Sequence, residues 1–418
     1  MKTSSRLLSA FALGFLTSPF VARAENVAVV GGTVYPVSGA PLQNGVVLIR
    51  DGKIAAVGPA STTKIPAGYR TLTATVVTPG LIDAHATVGL SGILNQPHDQ
   101  DQIDKSASFQ PELRAIDAYN AKDPLVAWVR SLGVTTVNTG HSPSALASGQ
   151  TMIVKTFGRG ADQDVLNPAA MTAVALGRNG LTAAEVVPGA GAPSAKAPGT
   201  RAKAIAMLRT ELIKAQEYGK KREGKDETKR PAHDLRAETL LRAFSGEQPL
   251  LINVHRQQDI LSALRVAKEF GLKIILDGCA DAPLVLNEIK ASGFPVILHP
   301  TMARSSEDAE NLGVETAAKL RAAGIPFALQ SGYESYVPKT RVVLFEAAIA
   351  ASNGLGFAAA LATITLDAAK ILGIAARTGS VEVGKDADLA LYDGDPFEYT
   401  THCIGTVIAG EVFADGSR

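Results

Sequence analysis

The stretch VVTPGLIDAHATVGL, residues 76–90, decides how the rest of the chain is read. An apolar run delivers Asp83, His85 and Thr87, then dissolves into glycine. Residues two apart on a strand point the same way, so a carboxylate, an imidazole and a hydroxyl are expected to face one space. Two imidazoles there would mean a metal. A single imidazole needs partners from elsewhere, so the question is which other strands bring them.

Seven further runs have the same apolar, strand-like character: 134–139, 151–156, 170–176, 249–255, 273–278, 295–300 and 326–331. Helical stretches lie between the later ones. DILSALRVAKEFG (259–271), APLVLNEIKASG (282–293) and VETAAKLRAAG (314–324) each carry apolar residues at helical spacing and stop at glycine. Strands alternating with helices predict a parallel sheet, and eight strands predict a closed (β/α)8 TIM barrel over residues 80–375. The link between the second and third runs is short for a barrel crossover.

Outside the barrel the grammar changes. Residues 26–58 read as short strands, with Asp51-Gly52 a strong hairpin signal. GSVEVGKDADLALYDGDP and CIGTVIAGEVFADG read the same way near the other end. Neither end has strands enough to bury both faces alone. The two are therefore expected to pair into a small composite β-sandwich, residues 25–79 with 376–418. Residues 1–24 read as a signal peptide: Lys2 and Arg6, the apolar LLSAFALGFL, and a small-residue cleavage site ending at Ala24. That predicts a periplasmic or secreted protein with no membrane span after cleavage.

The 418 residues are 46% hydrophobic and 19% charged, a globular composition. A net charge of +1 gives no electrostatic reason to expect nucleic acid or an anionic membrane. The expected partner is a small-molecule substrate, with a homo-oligomer possible. Cys279 and Cys403 fall in different modules and form no CxxC, so they read as two unpaired buried thiols. TRAKAIAMLRTELIKAQEYGKKR, after the Gly/Ala/Pro/Ser-rich 189–197, reads as an amphipathic helix capped by Thr200. It is either a lid or an exposed excursion.

In a barrel the working residues sit at the C-terminal strand ends. Those ends supply His85, His255, Asp277 and His299, with His141 just past the second run. Three of the seven histidines cap strands, and convergent imidazoles suit a divalent transition metal. His299 reads equally as a ligand or base and as a core-polar residue. Lys155, in an otherwise apolar strand, reads as a substrate-carboxylate contact or base, or as a lysine snorkelling out of the wall.

VVTPGLIDAHA resembles the first-strand motif of the amidohydrolase superfamily. GSVEVGKDADLALYDGDPF and TVIAGEVF resemble its closing sandwich segment, and PLLINVHRQQDILSALRVAKEFGLKIILDGCADA is similar to the fifth- and sixth-strand region of imidazolonepropionase-like amidohydrolases. The resemblance implies metal-dependent hydrolysis of C–N bonds in amides, cyclic amides or dipeptide-like molecules. Its pattern carries over to His85 and His255 as metal ligands. Thr87 stands where a second first-strand histidine is expected, and Gly332 where an eighth-strand aspartate is expected. The expected centre is thus an altered one. A divalent metal, zinc by preference, is held by His85 and His255 with help from His299 or Asp277, and a carboxylate or His299 serves as base. A further reading is metal-free catalysis with Lys155 or His299 as base. The alternative is a barrel that has lost hydrolysis and keeps a binding or scaffold role.

Overall fold

Asp51 and Gly52 both take positive φ, 50° and 77°, the backbone that a two-residue hairpin turn requires. They join β2 (Leu42–Arg50) to β3 (Lys53–Pro59). At the other end Ala409 and Gly410 make the matching turn, with φ 44° and 83°, between β14 (Cys403–Ile408) and β15 (Glu411–Ala414). With β1 (Val27–Val34), β4 (Arg70–Pro79) and β13 (Leu389–Tyr392), these strands form one seven-stranded sheet. Its order is β15-β14-β13-β4-β1-β2-β3, so strands from both ends of the chain share it. A methyl group on Gly52 would lie 2.8 Å from the Ala409 carbonyl oxygen, so the two turns touch.

The structure is a computed structural model that describes residues 25–94, 96–104, 106–181, 197–305, 307–333 and 341–414. The expected signal peptide and residues 189–196 lie outside the described residues. No described helix is long and apolar enough to cross a membrane.

The second sheet has eight strands in sequence order and is nearly a closed barrel. They are β5 (Leu81–Ala86), β6 (Val134–Gly140), β7 (Ala147–Lys155), β8 (Val165–Ala175), β9 (Leu250–Val254), β10 (Ile274–Gly278), β11 (Val296–Leu298) and β12 (Phe327–Ala328). All eight expected strands form. One expectation is corrected: β7 runs antiparallel to both β6 and β8. Residues 141–146 are too few for a parallel crossover, so the chain turns back as a hairpin. Helices Gln257–Phe270, Leu286–Ser292 and Thr316–Ala323 end on Gly271, Gly293 and Gly324 in the left-handed region, as the sequence predicts. The helix Arg201–Arg222 starts at Thr200, whose side chain accepts from Lys203 N. Both cysteines are buried and unbridged.

An apolar layer of the barrel takes residues from seven of its strands, among them Ile82, Ile153, Met171, Leu251, Ile275, Ile297 and Ala328. Strand alternation then fixes what stands above that layer. Two residues beyond Leu251, Ile275, Ile297 and Ala328 come Asn253, Asp277, His299 and Gln330, which share the same face. Four polar side chains therefore lie at the C-terminal ends of β9–β12, over an apolar floor.

Candidate active site at the barrel mouth

Asp277 is fully buried and is the hub of this layer. Its Oδ1 accepts from Gln330 Nε2 at 2.7 Å and faces His85 Nδ1 at 3.2 Å. Its Oδ2 accepts from Asn253 Nδ2 at 2.8 Å. Burial pushes this carboxyl up, but His85, Asn253 and Gln330 together hold it below its ordinary value. Facing an ionised carboxylate, His85 Nδ1 carries a ring proton and donates. Its Nε2 is buried with no hydrogen-bond partner among the described residues. β5 delivers His85 through an irregularity, since its register against β6 shifts between Asp83 and Ala86.

Asp83 turns to the seam where the barrel closes. Its Oδ1 accepts from Ser331 N at 3.0 Å and His85 N at 3.4 Å. Burial raises its carboxyl to about 6, against the downward pull of the Ser331 bonds. Thr87 is buried, and its hydroxyl has no partner among the described residues.

A pocket opens beside this hub, lined by Asn253, His255, His299 and Tyr333, with Asn179 and Arg304 among its other walls. Gly278 makes room for His255: a methyl group there would lie 2.7 Å from His255 Cε1. Asn253 Nδ2 also donates to the Tyr333 hydroxyl at 3.2 Å, and Asn179 Nδ2 donates to Asn253 Oδ1 at 3.3 Å, so the hub reaches the pocket wall. The Tyr333 ring lies over His85 with centroids 5.5 Å apart. His299 is 1% exposed, and its Nδ1 faces the Pro300 carbonyl oxygen at 2.9 Å. Nδ1 is then the donor, and Nε2 is an acceptor with no partner among the described residues. Burial lowers this imidazole to about 4, helped by the neighbouring His255 and opposed by the Pro300 bond. His299 is therefore neutral at pH 7.

The structure brings together His85, Asp277, His255 and His299 at one mouth in two groups: the first pair joined by a hydrogen bond, the second lining the pocket. It does not bring Lys155 there. Because β7 runs backwards, Lys155 pairs in register with Thr136 near the start of β6, at the opposite end of the barrel. Its Nζ sits between Asp386 Oδ2 at 2.8 Å and Asp388 Oδ1 at 2.9 Å. The reading of Lys155 as a base is corrected to a buried ion pair between the barrel wall and the C-terminal segment. His141 faces the Gln150 carbonyl oxygen at 3.3 Å, tied to β7. Cys279, beside Asp277, is inert as a nucleophile, since burial and then the Asp277 charge push its thiol well up. The sequence places Asn253 and Gln330 at strand ends without giving either a specific partner. The available signal is the alternation itself, a polar residue two beyond the last apolar one.

These residues do not fit the expected metal. Among the described residues no three His, Cys, Asp or Glu side chains gather closely enough to hold one. An open catalytic zinc site takes about three protein ligands. Asp277, the one carboxylate at the hub, already accepts from three side chains.

Comparison with known proteins agrees with the fold. Residues 297–414 match the model of the Amidohydrolase family. The chain is 25% identical over 368 residues to an imidazolonepropionase from Brucella anthropi, covering 84% of this chain and 87% of that protein. It is 25% identical over 357 residues to amidohydrolase tasK from Hapsidospora irregularis, covering 77% of this chain but spanning only 34% of that relative's length. The crystal structure of an amidohydrolase from Thermotoga maritima MSB8 superposes with a TM-score of 0.84 at 25% identity, over 93% of this chain and 100% of that one. Sheet order and these matches agree: the chain has the fold of the amidohydrolases and is similar to imidazolonepropionase-like members of that superfamily.

Proposed function

We propose that the protein hydrolyses a C–N bond in a small amide, cyclic amide or dipeptide-like molecule, in the periplasm or outside the cell, at the pocket lined by His255, His299, Asn253 and Tyr333. The supporting observation is His299. Its Nδ1 is held by a backbone carbonyl, its Nε2 is an unshared acceptor, and its imidazole is neutral at working pH. A neutral imidazole with a fixed tautomer is the form a general base needs. His299 Nε2 takes a proton from water as the water oxygen bonds to the carbonyl carbon. The same proton passes to the nitrogen as the C–N bond breaks, leaving a carboxylic acid and an amine; the acid then gives its proton to the amine or to solvent, forming the carboxylate. The family commonly uses divalent metals, but the donor set described above does not fit one, so no step here runs through a metal.

The test is turnover. Purified protein is given a panel of N-acyl amino acids, dipeptides and cyclic amides, and amine release is followed by mass spectrometry. Turnover that His299→Ala lowers by ~10²-fold or more supports the reading. No turnover by the wild type across the panel favours the second reading, a binding barrel without catalysis. That reading draws on the Asp277 carboxylate, which is tied up in hydrogen bonds and so is no base at the mouth.

A further inference from the structure

We propose that the hydrogen bonds converging on Asp277 take the place of a bound cation, so that this barrel mouth is assembled and closed without metal. An isolated carboxylate at zero exposure is prohibitively costly and must be compensated by a cation or by donors. Here donors supply the compensation. Gln330, Asn253 and His85 supply three donors from three separated strand ends, after β12, on β9 and on β5. Both amides spend their second hydrogen as well: Gln330 Nε2 on the Ile297 carbonyl oxygen at 3.3 Å, Asn253 Nδ2 on the Tyr333 hydroxyl. A carboxylate offers about four lone-pair sites, and three are used.

The same bonds close the barrel. β12 has only two residues in the sheet, and the backbone bonds across the seam to β5 are long: Ala84 N to Leu329 O at 3.4 Å and Gly332 N to His85 O at 3.3 Å. The shorter links use side chains: Ser331 N donates to Asp83 Oδ1 at 3.0 Å, and Asp277 Oδ1 takes both His85 Nδ1 of β5 at 3.2 Å and Gln330 Nε2 beyond β12 at 2.7 Å, bridging the seam. Thr87 and Gly332 add no anionic or imidazole ligand at the mouth. The first offers a neutral hydroxyl, and the second offers no side chain at a φ of +106° that disfavours one.

The experiment does not use turnover. Wild-type protein is exchanged against a strong chelator or an excess of zinc and desalted. Bound zinc is then counted by elemental analysis and Tm measured for each state. The expected result is well below one zinc per chain and a Tm that neither treatment moves. Gln330→Leu removes one donor to a buried charge and lowers Tm by about 1–4 °C with or without zinc. Gln330→Glu puts a second carboxylate beside Asp277 and His85, and its Tm rises when zinc is added. A stoichiometric zinc in the wild type that raises Tm and disappears in His85→Ala would overturn the proposal. So would a Gln330→Leu protein as stable as the wild type. If Gln330→Leu does not fold, the wild-type zinc and chelator measurements still decide. A zinc-indifferent protein that hydrolyses nothing leaves this inference standing and removes only the reading of its activity.

Discussion

Asp277 Oδ1 lies 3.2 Å from His85 Nδ1, with both side chains at zero exposure. A histidine that strand pattern offers as a metal ligand thus has its orientation set by a carboxylate 192 residues away. This pairing, with Asn253 and Gln330, divides the mouth into a sealed hub and an open pocket. It also directs the chemistry to His299 on the pocket side.

Assigning the base to His299 fixes a pH profile. The imidazole is neutral above about 4, so kcat/KM should show no limb from this group between pH 5 and 8 and should fall as pH drops through about 4. A rising limb centred near the ordinary histidine value of ~6.5 would assign the base to another group. The pH dependence of amine release measures this directly.

Lys155 is a structural cation, and its loss separates stability from chemistry. Lys155→Met leaves Asp386 and Asp388 buried beside one another without their shared ammonium. Breaking a buried pair from one side costs about 3–5 kcal/mol, read by urea unfolding. Turnover per folded molecule should stay at the wild-type level, because the residue lies at the far end of the barrel. Burial pushes Asp386 up, but Lys155, Lys53 and Arg377 outweigh it and bring its carboxyl to about 2. The folded value is the depressed one, so this stabilisation is present above about pH 4 and is lost as pH falls through about 2.

Glu346 behaves oppositely. Its Oε2 accepts from Thr301 Oγ1 at 2.6 Å and Met302 N at 2.9 Å, just past His299. Burial raises its carboxyl from 4.5 to about 7, against those bonds. The folded value is the raised one, so its contribution is full below pH 4.5 and is lost as pH climbs through about 7. Glu346→Gln keeps an acceptor and never has to bury a charge. At pH 8 it should exceed the wild type by about 1–3 kcal/mol, and the gain should vanish near pH 4. Denaturant titrations at the two pH values check the crossover.

Gly278 holds open the space that His255 occupies. Gly278→Ala would require φ of +89° from a residue that disfavours it and would press a methyl group to 2.7 Å from His255 Cε1. A cost of about 1–3 kcal/mol is expected. With it should come loss of turnover beyond what the stability change explains, since His255 must leave the pocket wall. Thermal melts and turnover measured on the same preparation separate the two effects.

The sequence by itself determined the eight barrel strands, the hairpins that let both chain ends share one sheet, the glycine-stopped helices and the polar residues at the strand ends. Each of these is local physics: alternation, turn conformation, helical spacing and capping act over a few residues and can be read from a few residues. Only the tertiary structure decided three other matters. It reversed β7 and carried Lys155 from the mouth to Asp386 and Asp388 at the opposite end. It joined His85 to Asp277, across the barrel. It gave Asn253 and Gln330, unremarkable in sequence, the task of satisfying a buried charge. These depend on which atoms meet across the barrel, and a buried carboxylate takes whatever donors the closed sheet brings within hydrogen-bond reach, however far apart they lie along the chain.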